Sequence, residues 1–209
     1  MTKIKETPWW YSLLWFTGLL LFKFLFGVKI EGKERIPRKG AMIITANHRS
    51  YLDPVVLALL VRRRMNFMAK EELFRHPGFG FLIRNLGAFP VKRERLNKLA
   101  FKKALQILKE GRILALFPEG TRSRSGKLGR LKEGPIRIAH HCRVPVVPVV
   151  IQGTEKVLPP GKKIPGWGKI KLRVGKPFLP VSSPEEREKA FKKALKQLKD
   201  EMISLGANE

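Results

Sequence analysis

The chain has 209 residues, of which 43 are Lys or Arg and 17 are Asp or Glu, giving a net charge of +26. This length suits one domain with a substantial core, and the single cysteine, Cys142, excludes an internal disulfide. No histidine–cysteine spacing typical of a zinc site occurs, so we predict no metal site. The positive charge favours anionic partners, namely nucleic acid, anionic lipid or an acidic carrier molecule.

Residues 9–28 form an apolar run in which eight of twenty side chains are aromatic, as is common at a membrane interface. The run can cross the bilayer, lie in its interface as a monotopic helix, or be a buried helix of a soluble domain. No small-residue cleavage site follows it, so a signal peptide is not expected. We predict a membrane-anchoring segment over 1–28, with the basic flank placing the main domain at the cytoplasmic face of the inner membrane.

Strand-like and helix-like segments alternate from residue 41 onward. Short apolar runs predict strands at 41–45, 66–69, 88–91, 112–117, 144–151 and 169–174, and helical periodicity predicts helices at 54–61, 71–85, 96–109 and 134–142. A capping-box pattern at 183–186 opens a last helix. Pro145 and Pro148 indicate an edge or irregular strand. This order predicts one α/β domain over 29–209, with a mixed, largely parallel sheet flanked by helices.

A histidine and an aspartate, His48 and Asp53, stand five positions apart directly after the first predicted strand. A histidine can accept a proton near neutral pH, and a carboxylate beside it can fix its tautomer and stabilise the imidazolium. We therefore predict a general base and its orienting partner. Asp53 also precedes Pro54 at the start of a helix, where it would be the N-cap, and both roles can hold at once.

The loop after the 112–117 strand concentrates groups that bind anions. Gly120 lets the backbone approach a ligand closely, Thr121 can donate a hydrogen bond, and Arg122 can hold a phosphate or carboxylate with two parallel hydrogen bonds. Glu119 can hold a substrate hydroxyl or orient an arginine. The alternative is a surface turn with a structural Glu–Arg pair.

Two further cations, Lys70 and Arg93, follow other predicted strands. Ligands of such sheets bind beyond the carboxyl ends of the strands. The convergence of Lys70, Arg93 and Arg122 on the edge that carries His48 therefore predicts an anion pocket beside a general base.

Four segments occur in the order in which one enzyme family carries them. They are Asn47-His48 with Asp53, Gly87-Ala88-Phe89-Pro90-Val91-Lys92-Arg93, Phe117-Pro118-Glu119-Gly120-Thr121-Arg122 and Val144-Pro145-Val146-Val147-Pro148-Val149. Over residues 40–155 they resemble the four blocks of the glycerolipid acyltransferases, most closely those of the bacterial lysophosphatidic acid acyltransferases. The histidine–aspartate block is weak alone, but its spacing from the Glu119 block makes the resemblance specific.

The resemblance implies transfer of a fatty acyl group from acyl-CoA or acyl-acyl carrier protein to the sn-2 hydroxyl of lysophosphatidic acid, making phosphatidic acid in phospholipid biosynthesis. His48 would be the general base and Asp53 its orienting partner. The other positions carried over, as shapers of the acceptor site or phosphate ligands, are Lys70, Arg93, Glu119, Gly120, Thr121 and Arg122.

The resemblance also implies partners. The chain would meet an anionic phospholipid bilayer, lysophosphatidic acid and the thioester donor, with no cofactor beyond that donor and no nucleic acid. Two alternatives stay open. One is the same chemistry on glycerol 3-phosphate or another lyso-lipid, and the other is a non-enzymatic basic module that binds membrane or nucleic acid.

Overall fold

A mixed seven-stranded sheet organises the chain in a computed structural model that describes residues 7–91, 98–123, 125–159, 161–162, 164–181 and 186–208. The strand order is β1-β7-β6-β2-β5-β3-β4, and every pair is parallel except β6 with β7. The strands are β1 Lys29–Glu31, β2 Met42–Ala46, β3 Met65–Lys70, β4 Ala88–Val91, β5 Ile113–Leu116, β6 Val146–Gln152 and β7 Lys171–Val174. The predicted α/β class is confirmed.

Helices cover both faces of this sheet. They are α1 Trp9–Phe26, α2 Asp53–Ala58, α3 Pro77–Asn85, α4 Lys98–Lys109, α5 Gly134–Cys142, α6 Thr154–Val157 and α7 Arg187–Ser204, with 3-10 turns at Lys33–Arg35 and Glu71–Phe74. Alternate strand residues point to opposite faces. One apolar cluster joins the sheet to α1 and α2, and a second joins its other face to α4, α5 and α7.

Most predicted elements are present, with one difference in the sheet and one in a helix. The sequence did not predict β1, a three-residue strand whose alternating charged residues give no apolar signal and which pairs only with β7. The predicted 71–85 helix is divided into a 3-10 turn and α3, and the division falls just before Pro77. Arg93 and most of the 183–186 capping box lie outside the described residues.

The prediction of an edge or irregular strand for β6 was wrong, because β6 lies inside the sheet between β2 and β7. Pro145 precedes the strand. Pro148 pairs with β2, yet its carbonyl accepts a hydrogen bond from the amide of Gly175, just past the end of β7 (2.8 Å). The N–H and C=O of a strand residue face the same neighbour. The N–H that Pro148 lacks would therefore have faced the end of β7. The proline thus removes no hydrogen bond between β6 and β2.

Helix α1 lies along the sheet rather than standing away from it. The Trp15 indole donates to the Leu59 carbonyl at 3.1 Å, and Gly18 approaches the Leu59 side chain. Phe22 and Phe26 join the core cluster. These contacts recur every three or four residues, so one stripe of α1 docks on the domain along its length.

Most of the remaining α1 surface is apolar and exposed, with Thr17 and Lys23 as exposed polar side chains. Phe24 is 88% exposed and Trp9 is 79% exposed, and the other exposed apolar side chains of α1 are Leu13, Leu14, Phe16, Leu20, Leu21 and Leu25. By length and composition α1 could cross a membrane. A large exposed apolar surface on a folded domain marks an interaction site. Together with the docked stripe, it favours the interfacial arrangement among the three that the sequence left open.

Replacing two outward side chains of α1 tests this interpretation. We expect Leu20→Asp with Phe24→Asp to lower the affinity for anionic phospholipid vesicles at least ~10-fold, because each side chain loses its transfer into lipid. Flotation with vesicles measures the loss. The matched control is Leu99→Asp with Val181→Asp, which adds the same charge at exposed positions away from α1. Equal flotation of both double variants would contradict a lipid-facing α1.

Candidate active site

The carboxyl ends of three central strands meet at one edge of the sheet. β5 and β6 flank β2 and run parallel to it, so the segments that follow them are neighbours. Residues 47–53 follow β2, residues 117–123 follow β5, and residues 153–155 follow β6. The two motifs that the sequence singled out therefore share one site with a third segment from β6.

His48 and Asp53 are in direct contact. The His48 Nδ1 atom lies 2.8 Å from Asp53 Oδ2, and the Asp53 side chain is fully buried. Since a carboxylate only accepts hydrogen bonds, Nδ1 carries the proton and Nε2 is left as the basic nitrogen. Among the described residues no hydrogen bond reaches Nε2, and the His48 side chain is 16% exposed. The pair thus presents one free basic atom at the mouth of a buried site.

Asp53 accepts three further hydrogen bonds besides the one from His48. The backbone amides of Arg49 and Ser50 donate to Oδ2 at 2.6 and 2.7 Å, and the Thr154 hydroxyl donates to Oδ1 at 2.6 Å. The N-cap prediction for Asp53 was wrong, because Leu52 is the cap and Asp53 is the first residue of α2. Its carboxylate bonds backwards to the motif loop instead of forwards to the helix. Asp53 therefore holds the conformation of the 48–53 loop and also orients the His48 ring.

The backbone and ring of His48 are held independently of Asp53. Its amide donates to Glu119 Oε1 at 2.8 Å, and its carbonyl accepts from the amide of Ser123 at 2.8 Å. Its ring stacks on Phe117 with the centroids 4.2 Å apart. Three contacts from the loop after β5 thus fix the position of the histidine.

Glu119 accepts hydrogen bonds from two separate stretches of backbone. Besides the His48 amide it accepts the amide of Gly129 on Oε2 at 2.9 Å, and it is 8% exposed. No arginine pairs with it in the part of the chain that the structure describes, so the alternative of a structural Glu–Arg surface turn lacks its pair. Both carboxylate oxygens already have a partner before any substrate arrives.

The remaining predicted residues of this loop lie around the histidine. Gly120 has φ +73°, a backbone conformation that favours glycine, and a Cβ there would stand 2.7 Å from Nζ at the flexible end of the Lys132 side chain. Thr121 is exposed. The Arg122 guanidinium lies 3.6 Å from the centre of the Tyr51 ring, and its buried Nη1 has no hydrogen-bond partner within the described ranges. A guanidinium with an unfilled donor suits an incoming anion.

Lys70 is not brought into contact with this group. It ends β3, which β5 separates from β2, and its side chain is exposed. Arg93 lies outside the described residues. The anion-binding assignments of Lys70 and Arg93 therefore remain predictions.

Sequence reasoning missed the segment after β6. Thr154 reaches Asp53 across 101 positions of sequence, and Glu155 Oε1 lies 3.9 Å from Arg49 Nη1. Arg49 is 4% exposed, while its Nε and Nη2 have no hydrogen-bond partner among the described residues. The Ser50 hydroxyl donates to the Leu158 carbonyl at 2.8 Å. The available signal was the position of Thr154, three residues past the end of the predicted 144–151 strand.

The described residues offer neither a metal site nor an activated thiol. Within the described ranges no three His, Cys, Asp or Glu side chains form a group suited to a metal ion. Partial burial raises the pKa of the Cys142 thiol, although Lys109 lowers it in part. A thiol with a raised pKa is a poor nucleophile at neutral pH. The described site offers the histidine–aspartate pair as its candidate for proton transfer.

Comparisons with known proteins find relatives along most of this chain. A family model described as Acyltransferase matches residues 27–152. The 1-acyl-sn-glycerol-3-phosphate acyltransferase of Bacillus subtilis is 34% identical over 177 residues, covering 82% of this chain and 85% of that protein. The chloroplast protein LPAT1 of Arabidopsis thaliana, which carries the same enzyme name, is 33% identical over 73% of this chain, which spans only 44% of its length.

A solved structure has the same fold. The crystal structure of the 1-acyl-sn-glycerophosphate acyltransferase PlsC from Thermotoga maritima superposes with a TM-score of 0.71 at 33% identity. The match covers 90% of this chain and 77% of that one.

The hydroxyl of Thr154 gives a test of the carboxylate network. We expect Thr154→Val to lower the free energy of unfolding by about 1–3 kcal/mol, because Asp53 Oδ1 becomes a buried acceptor without a donor. The same variant should shift the downfield proton signal of the His48 Nδ1–H group in NMR spectra. Thr154→Ser, the matched control, keeps the hydroxyl and should stay close to wild type. A valine variant with unchanged stability and an unchanged proton signal would contradict the role of the Thr154 hydroxyl in the Asp53 network.

Proposed function

Because the chain belongs to the acyltransferase family, we propose that it transfers a fatty acyl group from a thioester to the sn-2 hydroxyl of lysophosphatidic acid, making phosphatidic acid. The observation that carries the proposal is the free Nε2 of a histidine whose Nδ1 is bonded to a fully buried aspartate. The enzyme names of the relatives support this acceptor.

The proposed reaction is one direct acyl transfer. His48 Nε2 removes the proton of the acceptor hydroxyl while its oxygen attacks the thioester carbonyl, forming a C–O bond. The tetrahedral intermediate then breaks the C–S bond, and the imidazolium returns the proton to the leaving thiolate. A thioester is already activated, so no nucleophilic Ser or Cys is needed. Asp53 stabilises the imidazolium that forms between the two proton transfers.

The backbone amides nearest to His48 are already engaged. Those of Arg49 and Ser50 donate to Asp53, so they are not available to a developing oxyanion. The donors for that charge must come from other groups at the site.

The proposed acceptor site lies beside Tyr51. Arg122 stacks on this ring and keeps a buried donor unfilled, so it can bind the phosphate of the acceptor. Gly120 would line the approach, and Glu119 would act through the backbone that it holds. Thr121 is a proposed substrate-binding residue of the same loop. We retain Lys70 and Arg93 as proposed phosphate ligands from the sequence.

The proposed location is the cytoplasmic face of the inner membrane, with the 1–28 segment as the anchor and 29–209 as the catalytic domain. The exposed apolar surface of α1 supports it, and Tyr51 and Val55 are exposed on the same side of the sheet as α1. Anionic phospholipids would attract a chain with a net charge of +26. An acceptor embedded in the bilayer would then enter from the α1 and α2 side.

The donor in this proposal is acyl-CoA or acyl-acyl carrier protein, with no further cofactor. Glycerol 3-phosphate or another lyso-lipid is the competing acceptor. A panel of acceptors assayed at equal concentration separates these, and a clear preference for any of the others over lysophosphatidic acid would replace the acceptor named here. A basic binding module without turnover would bind vesicles yet release no thiol from any donor tried.

Removing the base tests the chemistry. We expect His48→Ala to lower kcat for phosphatidic acid formation by at least ~10²–10⁴-fold, the usual contribution of a positioned general base. Thiol release and product formation are followed together. His76→Ala, an exposed histidine at the start of α3, is the control and should keep wild-type turnover. Full activity of His48→Ala in a folded protein would reject the mechanism.

Removing the guanidinium next to Tyr51 tests the acceptor site. We expect Arg122→Ala to raise KM for lysophosphatidic acid about 10–100-fold, because a hydrogen bond to a charged group contributes about 1.5–3 kcal/mol. KM for the donor should change little. Arg187→Ala, an exposed arginine at the start of α7, is the control with the same charge change. An unchanged acceptor KM in Arg122→Ala would exclude the phosphate role.

A further inference from the structure

A second concave surface lies behind the Glu119 loop, on the α5 and α7 side of the sheet. This groove has a volume of about 1040 Å³, comparable to the larger small-molecule sites in proteins. Six of the polar side chains that line it are Thr121, Ser123, Lys127, Arg130, Lys132 and Arg137. We refer to it below as the basic groove.

The cations of the basic groove are not equivalent. Arg137 is paired with Glu133 at 2.8 Å and with Glu188 at 2.9 Å, so its charge is largely compensated. Lys127, Arg130 and Lys132 are exposed, and no ion pair within the described ranges involves them. Three uncompensated positive charges in one concavity attract a small polyanion.

The basic groove shares a wall with the active site. Glu119 and Ser123 line it, and these residues respectively bond the amide and the carbonyl of His48. A ligand held in the groove therefore lies directly behind the loop that positions the base. Arg122 is not among the described groove-lining residues, because its guanidinium turns to Tyr51 on the α2 side.

The two sides of the sheet differ in the substrate that they can admit. Exposed apolar side chains of α1 and α2 mark one side, and the basic groove marks the other. A lipid acceptor enters from the apolar side. A water-soluble anionic donor has to enter from the side that faces away from the bilayer, which is where the free cations lie.

We propose that the basic groove binds the phosphorylated arm of the acyl thioester donor. The proposal rests on the acyl transfer proposed above and locates its second substrate. Coenzyme A and acyl carrier protein share the same chemistry here, a phosphopantetheine chain whose phosphate lies at the end away from the thioester. Lys127, Arg130 and Lys132 bind the phosphate, hydroxyls such as that of Thr121 add hydrogen bonds, and the thioester end reaches His48.

The test combines two substitutions with two donors. Lys127→Ala with Arg130→Ala removes two free cations, and the control Lys189→Ala with Lys196→Ala removes two exposed charges from the α7 surface. KM and kcat are measured with acyl-CoA and with acyl-acyl carrier protein at saturating lysophosphatidic acid, and the acceptor KM is measured separately. We expect the groove variant to raise donor KM ~10-fold or more, with kcat and acceptor KM nearly unchanged and the control like wild type.

Each outcome has a distinct meaning. An increase for both donors assigns the groove to the shared phosphopantetheine phosphate. An increase for acyl-CoA alone supports the groove with the nucleotide phosphates as its ligand. An increase for the carrier protein alone overturns the proposal in favour of docking an acidic protein, and an increase in acceptor KM overturns it in favour of an acceptor site.

The groove can also be tested without turnover. Calorimetric titration of free coenzyme A into wild type and into both double variants measures binding alone. Weaker binding to the groove variant only would support the proposal even if wild-type protein turned over no substrate, in which case the proposed function would fail by itself. Turnover with unchanged donor KM and unchanged coenzyme A binding would reject the groove while leaving the acyl transfer intact.

Discussion

Asp53 carries a fully buried carboxylate, and an unpartnered charge in that position would cost several kcal/mol. The site avoids this cost by surrounding the carboxylate with four donors from two parts of the chain. His48 and two backbone amides come from the loop after β2, and the Thr154 hydroxyl comes from the segment after β6. The network that keeps the charge buried also orients the imidazole, so the folding requirement and the chemical requirement are met by one set of contacts.

Glu119 positions the backbone of the site, as Asp53 positions the imidazole. It joins the His48 amide to the amide of Gly129, and so links the loop after β2 to the loop after β5. Asp53 and Glu119 thus both have their carboxylate oxygens engaged within the protein. Polar groups satisfied in this way lose little freedom when substrate binds, which is how a preorganised site lowers a barrier. Of the described residues around the histidine, Arg122 and Arg49 are the ones with buried donors left unfilled.

Sequence patterns predicted the inner strands, the flanking helices and the His48–Asp53 contact, because periodicity and motif spacing are local properties. They failed where the outcome depends on register between distant segments. The prolines of β6 indicated an edge, since nothing local shows that the missing N–H of Pro148 faces the end of β7. Thr154 could not be paired with Asp53 for the same reason. The charged strand β1 is stabilised by its neighbour β7, and its own sequence has no strand pattern.

The attachment of α1 has a consequence for how substrate is found. The Phe26 carbonyl accepts a hydrogen bond from the amide of Ile170, and the Trp15 indole donates one to the Leu59 carbonyl, so α1 is held to the domain at its C-terminal end and near its middle. A helix fixed in this way sets His48 at a constant depth relative to any bilayer that α1 enters. Encounters with a lipid acceptor then take place by diffusion in a plane. Their rate depends on the number of acceptor molecules per unit area of membrane, and diluting the surrounding solution leaves it unchanged.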